Sequence, residues 1–127
     1  MINIPVSAGE LIDKISILQV KETNIKNPEK LALVKNELTH LNKVAEIYLA
    51  DERIEDLLQK LVHTNGELWK VEDELRVMES KGLFNGDFIH LARDVYHLND
   101  QRFEWKNEIN SITRSEIREV KEYINYK

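Results

Sequence analysis

Apolar residues return at steps of three and four through nearly the whole chain, the period of a helix face. A chain patterned this way must bury each stripe against another helix, which leaves a helical bundle as the natural architecture. In two long segments, however, the core-facing row is interrupted. The row Ile54, Leu58, Leu61, Asn65, Leu68, Glu72, Leu75 turns polar midway, and so does Phe88, Ala92, Val95, Asn99, Arg102, Lys106, Ile109. Amides and charges on an inward seam must be satisfied by one another, by water or by a ligand. The seam is therefore the place to look for a site.

Start and stop signals divide the pattern. Ser7-Ala8-Gly9-Glu10 reads as a capping box. It opens a first helix from about Ala8 to Ile25, with Leu11, Ile15, Leu18 and Ile25 on one stripe and Ile12 beside it. Asn27-Pro28 opens a second, because a first-turn proline lacks only an N–H that has no helical acceptor. Its row Leu31, Val34, Leu38, Leu41, Ala45, Tyr48 has coiled-coil spacing. The row then slips phase beside Asp51, which predicts a break near Ala50-Asp51. The alternative is one helix from Pro28 to Ser80, roughly 80 Å long at the usual rise per residue, and that would imply an extended dimer. Helix 3 is expected to end at Ser80 before Lys81-Gly82. Leu83 and Phe84 are expected to tuck under the bundle end. Asp87 is read as the cap of helix 4, which runs to about Ile112. Thr113-Arg114-Ser115-Glu116 resembles a further capping box and predicts a short last helix with Ile117, Val120 and Ile124 on one face.

At 127 residues the chain is expected to be a single domain, residues 1–127, with a core that needs no covalent staples. There is no cysteine, hence no disulfide or thiolate chemistry. The net charge of −5 argues against duplex nucleic acid as a partner. No apolar run approaches the roughly 20 residues of a membrane span. The opening Met1-Ile2-Asn3-Ile4-Pro5 has neither a basic nor an apolar leader region, so no secretory signal is expected. A cytoplasmic location fits these features.

Within the seam, helices 3 and 4 are expected to run antiparallel. Counting outward from the loop near residue 84 places Glu72 near Tyr96–Asn99 and Asn65 nearer Arg102 and Lys106. A Glu72–Arg102 pair is therefore expected. The stripe of helix 1 continues to Glu22, and Glu10, Asp13, Lys14 and Lys21 flank it as further candidates. Two readings stay open. In one, an Asn–Glu–Arg–Lys network fixes helix register, or part of the row faces solvent because an ideal helix drifts from a heptad. In the other, the seam is a pocket for a small anion. Arg102 would supply a bidentate fork, Lys106 a point charge, and Asn65 and Asn99 orienting amides. Glu72 would be an acid, a base or an acceptor, and Trp69 and Trp105 would exclude water.

No other constellation competes. His90 and His97 lie two helical turns apart, about 10 Å, too far for one metal ion. There is no HExxH sequence and no glycine-rich phosphate loop. The acidic run Asp51-Glu52-Arg53-Ile54-Glu55-Asp56 is most simply a negative helix start facing the macrodipole. Neither a metal nor an organic cofactor is expected.

The run Ile4-Pro5-Val6-Ser7-Ala8-Gly9-Glu10-Leu11-Ile12-Asp13-Lys14-Ile15-Ser16-Ile17-Leu18 resembles the opening of a bacterial family of small all-helical proteins of unknown function. So do Leu68-Trp69-Lys70-Val71-Glu72-Asp73, Val95-Tyr96, Asn99-Asp100-Gln101-Arg102 and Ser115-Glu116-Ile117. The resemblance implies a family and no mechanism. Asp100-Gln101-Arg102 with Lys106 is also loosely similar to the helical chorismate mutases. Only Arg102 and Arg76 stand on the presumed seam, however, where that family has several spaced arginines.

The expectation is thus an all-α antiparallel bundle of four long helices plus a short C-terminal helix. The apolar row of helix 2, with Ile47 and Leu49 beside it, gives that helix more than one apolar face and suggests a homodimer. The favoured function is a non-enzymatic binding or interaction module. The alternative is an enzyme acting on an anionic metabolite through Arg102, Lys106 and Glu72.

Overall fold

The computed structural model describes residues 1–127 and contains four helices and no strand: α1 Ala8–Asn24, α2 Pro28–Leu49, α3 Glu52–Ser80 and α4 Gly86–Thr113. Each start is fixed by a side chain the sequence supplies there. The Ser7 hydroxyl accepts from the Glu10 N–H at 3.1 Å, and the Asn27 side chain accepts from the N–H groups of Glu29 and Lys30. Asp51 caps α3 by accepting from Arg53 N–H at 2.9 Å, so the phase slip does mark a break and the single long helix is excluded. Gly82, at φ 65°, ends α3 in the left-handed region where a side chain would be strained.

The core is built around α1. Ile12 and Ile15 are fully enclosed and meet Leu61 of α3 and Ile109 of α4, while Val34, Leu38 and Ala45 are all that α2 buries. α1 packs on each of the other helices, whereas α2 and α3 touch little and diverge around an open, largely polar groove. Three expectations at the ends need correction. Asn85, not Asp87, caps α4, through an N–H···O bond from Phe88 at 3.1 Å. Leu83 and Phe84 do not tuck under the bundle but stay exposed, with Phe84 edge-on to Phe88 at 5.2 Å.

The third correction is that no fifth helix forms. Arg114 takes a left-handed conformation, φ 54° and ψ 46°, that closes α4, and the following residues run as irregular chain along it. Thr113 does not cap a new helix, because it is the last residue of α4 and its hydroxyl donates to the Ile109 carbonyl at 2.9 Å, while the Ser115 N–H donates to the Asn110 carbonyl. Arg118 reaches the Asn110 carbonyl, Lys121 the Asn99 carbonyl, and Tyr126 the Asp100 carboxylate. A helix this short holds only if its apolar face is packed. Val120 and Ile124 instead face solvent, and Ile117 is half exposed.

α3 and α4 outrun α1. Between Val71 and Lys106 no residue is buried, so the end of α3, its loop and the start of α4 project as a two-helix arm. No helix is long and apolar enough to cross a membrane.

Candidate functional site

The polar residues of the seam do meet, though not in the expected pairs. Behind the leucine stripe of α1 runs a second three-four row, the small or polar Gly9, Asp13 and Ser16 followed by Val20, and all four are buried. That row turns toward α3 and α4. Gly9 permits the approach: a Cβ there would lie 2.4 Å from the Lys106 carbonyl oxygen and 2.8 Å from Asn110 Oδ1. In its absence the Gly9 N–H donates to Asn110 Oδ1 at 2.7 Å.

Asp13 is the centre of the network and is almost fully buried. Arg102 Nε and Nη2 donate to its two carboxylate oxygens at 2.8 and 2.6 Å, a bidentate fork. Asn65 Nδ2 donates to Asp13 Oδ1 at 3.1 Å and to Ser16 Oγ at 2.7 Å, which ties in α3. Lys106 lies on the far side of Arg102 with its ammonium buried. It reaches Glu10 at 2.9 Å, Asp13 at 4.0 Å and Glu119 of the C-terminal segment. One set of charges thus clamps α1, α3, α4 and the C-terminal segment together.

Burial disfavours the Lys106 charge, but hydrogen bonds to Glu119 and Glu10 and the field of Asp13 outweigh it. Its pKa therefore lies above the ordinary lysine value. The hydrogen bonds to Asp13 likewise hold Arg102 above its ordinary value, against the opposing effect of burial.

The expected Glu72–Arg102 pair is not formed. Glu72 bonds Arg76 of its own helix at 2.7 Å, at the partly exposed surface of α3. Pairing α3 directly with α4 left out α1, which inserts Asp13 opposite Arg102. Trp105 also departs from expectation: it packs against the hydrophobic core with Lys60 Nζ 4.8 Å from its ring centre. The other candidates converge. Asn65, Trp69, Glu72, Asn99 and Arg102 all line one cleft of about 490 Å³, whose apolar wall is Ile17, Val20 and Leu68. Arg102 Nη1 makes no hydrogen bond to the protein, so the guanidinium is held on one edge and unspent on the other.

Glu119 escaped the sequence reading of the site, and two further members were given no role in it. Asp13 and Glu10 were visible only as flanking charges, although the small-polar row through Gly9 and Ser16 signals a helix buried on two sides. Glu119 carried no signal, because its segment reads as a helix. No group of His, Asp or Glu side chains is placed to hold a metal ion.

The family model that matches spans residues 2–126 and describes a family of unknown function, DUF6165. The chain belongs to this family. No curated protein and no solved structure matches it. Membership in DUF6165 thus brings no activity, and function has to be argued from the seam and the surface.

Proposed function

We propose that the protein is a non-enzymatic binding module. In this reading the Asp13–Arg102–Lys106 network is a structural clamp, and the cleft beside it receives a small ligand carrying an anionic group. One observation supports the cleft above all: Arg102 is oriented by Asp13 yet keeps Nη1 free of protein partners. A guanidinium pre-set in this way loses little freedom when it meets a carboxylate or phosphate. Asn65 and Asn99 would orient the ligand, Trp69 would cover its apolar part, and Lys106 would act from behind through its charge. An enzyme with Glu72 as acid or base has less support, since Arg76 already engages that carboxylate.

The test is a thermal-shift panel of phosphate, nucleotides, sugar phosphates, nucleotide sugars and di- and tricarboxylates. Saturation at about a hundred times the dissociation constant adds ~2.7 kcal/mol, a rise of several degrees. Arg102 is unsuitable as the control because its loss also breaks the clamp. A genuine hit instead disappears in Asn99→Ala and Trp69→Leu. A panel without hits, or a hit that survives both changes, refutes the cleft.

A homodimer through the outer face of α2 has separate support, because Leu33, Val44 and Ile47 are exposed there. Light scattering should give twice the chain mass, reverting to the single mass in Ile47→Lys. A single mass for the unaltered protein at micromolar concentration removes the dimer.

A further inference from the structure

We propose that the projecting α3–α4 arm is a docking surface for a basic amphipathic helix of a partner protein. Two helices side by side cover only the halves of their stripes that face each other. Leu75, Met78, Phe88, Leu91, Val95 and Leu98 are accordingly left partly exposed, with the C-terminal segment beside Val95 at the base of the arm. Val77 is 51%, Phe84 59% and Ile89 58% exposed near the tip.

On one side of the arm this surface forms a groove of about 500 Å³. Val77, Met78 and Leu91 supply its apolar part and Asp73, Glu74 and Asp87 its charge, with His90 the remaining lining residue and no lysine or arginine. The bias extends to the whole arm. Residues 72–101 hold seven Asp or Glu against three Lys or Arg, a balance of −4 in a chain whose total is −5.

That charge selects the occupant. A second arm would bring the same sign against itself, and an anionic membrane or a nucleic acid would be repelled. The complementary ligand is a helix with an apolar stripe for Val77, Met78 and Leu91, flanked by Lys or Arg for the carboxylates. The groove adjoins the Arg102 cleft at Asp73, which lines both, but its apolar residues are not part of that cleft, and it lies apart from the outer face of α2.

The probe is a fluorescein-labelled helical peptide of Leu and Lys, with leucines at three-four spacing. Its controls are a scrambled peptide of the same composition and a Leu/Glu counterpart. Fluorescence anisotropy at moderate salt should report micromolar binding of the first, about 10-fold weaker binding of the second and none of the third. Amide shifts in nitrogen–proton spectra should map to residues 73–91. Val77→Asp, at an exposed position, should keep the thermal midpoint and weaken binding about 10-fold. No binding, equal binding of the scrambled peptide, indifference to Val77→Asp, or shifts mapping elsewhere would each overturn the proposal.

Discussion

Replacing Arg102 by alanine would expose how much of this fold rests on one ion pair. Asp13 is 1% exposed and takes two charge-assisted hydrogen bonds from Arg102, at 2.8 and 2.6 Å. Removing one partner of a buried pair costs about 3–5 kcal/mol, because the other charge is left without compensation. Here the carboxylate would keep Asn65 Nδ2 at 3.1 Å and Lys106 at 4.0 Å, which places the expectation near the lower end. A loss of ~3 kcal/mol is a large share of the 5–15 kcal/mol typical of a domain. Urea unfolding followed by circular dichroism, with an unchanged slope, would measure it. The paired change Asp13→Leu with Arg102→Met should recover much of the loss, because no buried charge then remains. If Arg102→Ala costs less than about 0.5 kcal/mol, as an ordinary surface change does, the clamp reasoning is wrong.

Two glycines make a matched pair. Gly9→Ala would drive a Cβ into the Lys106 carbonyl, so it should destabilise by about 1–3 kcal/mol despite the better helix propensity. Gly66→Ala meets nothing within 4 Å and should stabilise by about 0.5–1 kcal/mol, both read from urea unfolding midpoints. Lys106 has a folded-state pKa above its ordinary 10.5, so its charge contributes fully below that pH and is lost as pH rises through the folded value. The stability gap between the native protein and Lys106→Met should therefore close in alkali above pH 10.5, and a gap independent of pH would count against it. Tyr126 is pushed up to about 12 by its hydrogen bond to Asp100, so one tyrosine should ionise late in an ultraviolet titration. Its contact with α4 should persist below pH 10.0 and be lost as pH rises toward 12, and Asp100→Asn should remove the late step.

The helices were legible because each carries its own period and its own cap. Even the break at Ala50-Asp51, unmarked by glycine or proline, showed as a phase slip between Tyr48 and Ile54. Asn65, Arg102 and Lys106 were legible for the complementary reason: each interrupts an apolar row, and all three do enter the polar network. Their partners were not legible. Which carboxylate faces Arg102 depends on how three helices pack together, and spacing along two of them points wrongly to Glu72. The C-terminal segment misled most. Ile117, Val120 and Ile124 have helical spacing, but periodicity states only what a helix would bury and not whether a surface exists to bury it on. The family match spans residues 2–126 and assigns no role to any of them.

The position of α1 also bears on how the chain can be made. The hydrogen bonds that hold α1 in place join residues 89 and 101 positions apart, Asp13 to Arg102 and Gly9 to Asn110. During synthesis α1 therefore emerges first and waits for α4 before Asp13 can be buried in company. Until then Ile12 and Ile15 have α2 and α3 to shelter them but not Ile109 of α4. A product cut short before Arg102 would hold Asp13 without its counter-charge and a leucine stripe without its lid. Closure of the core thus depends on α4, and chains that stop before it should remain open to proteolysis.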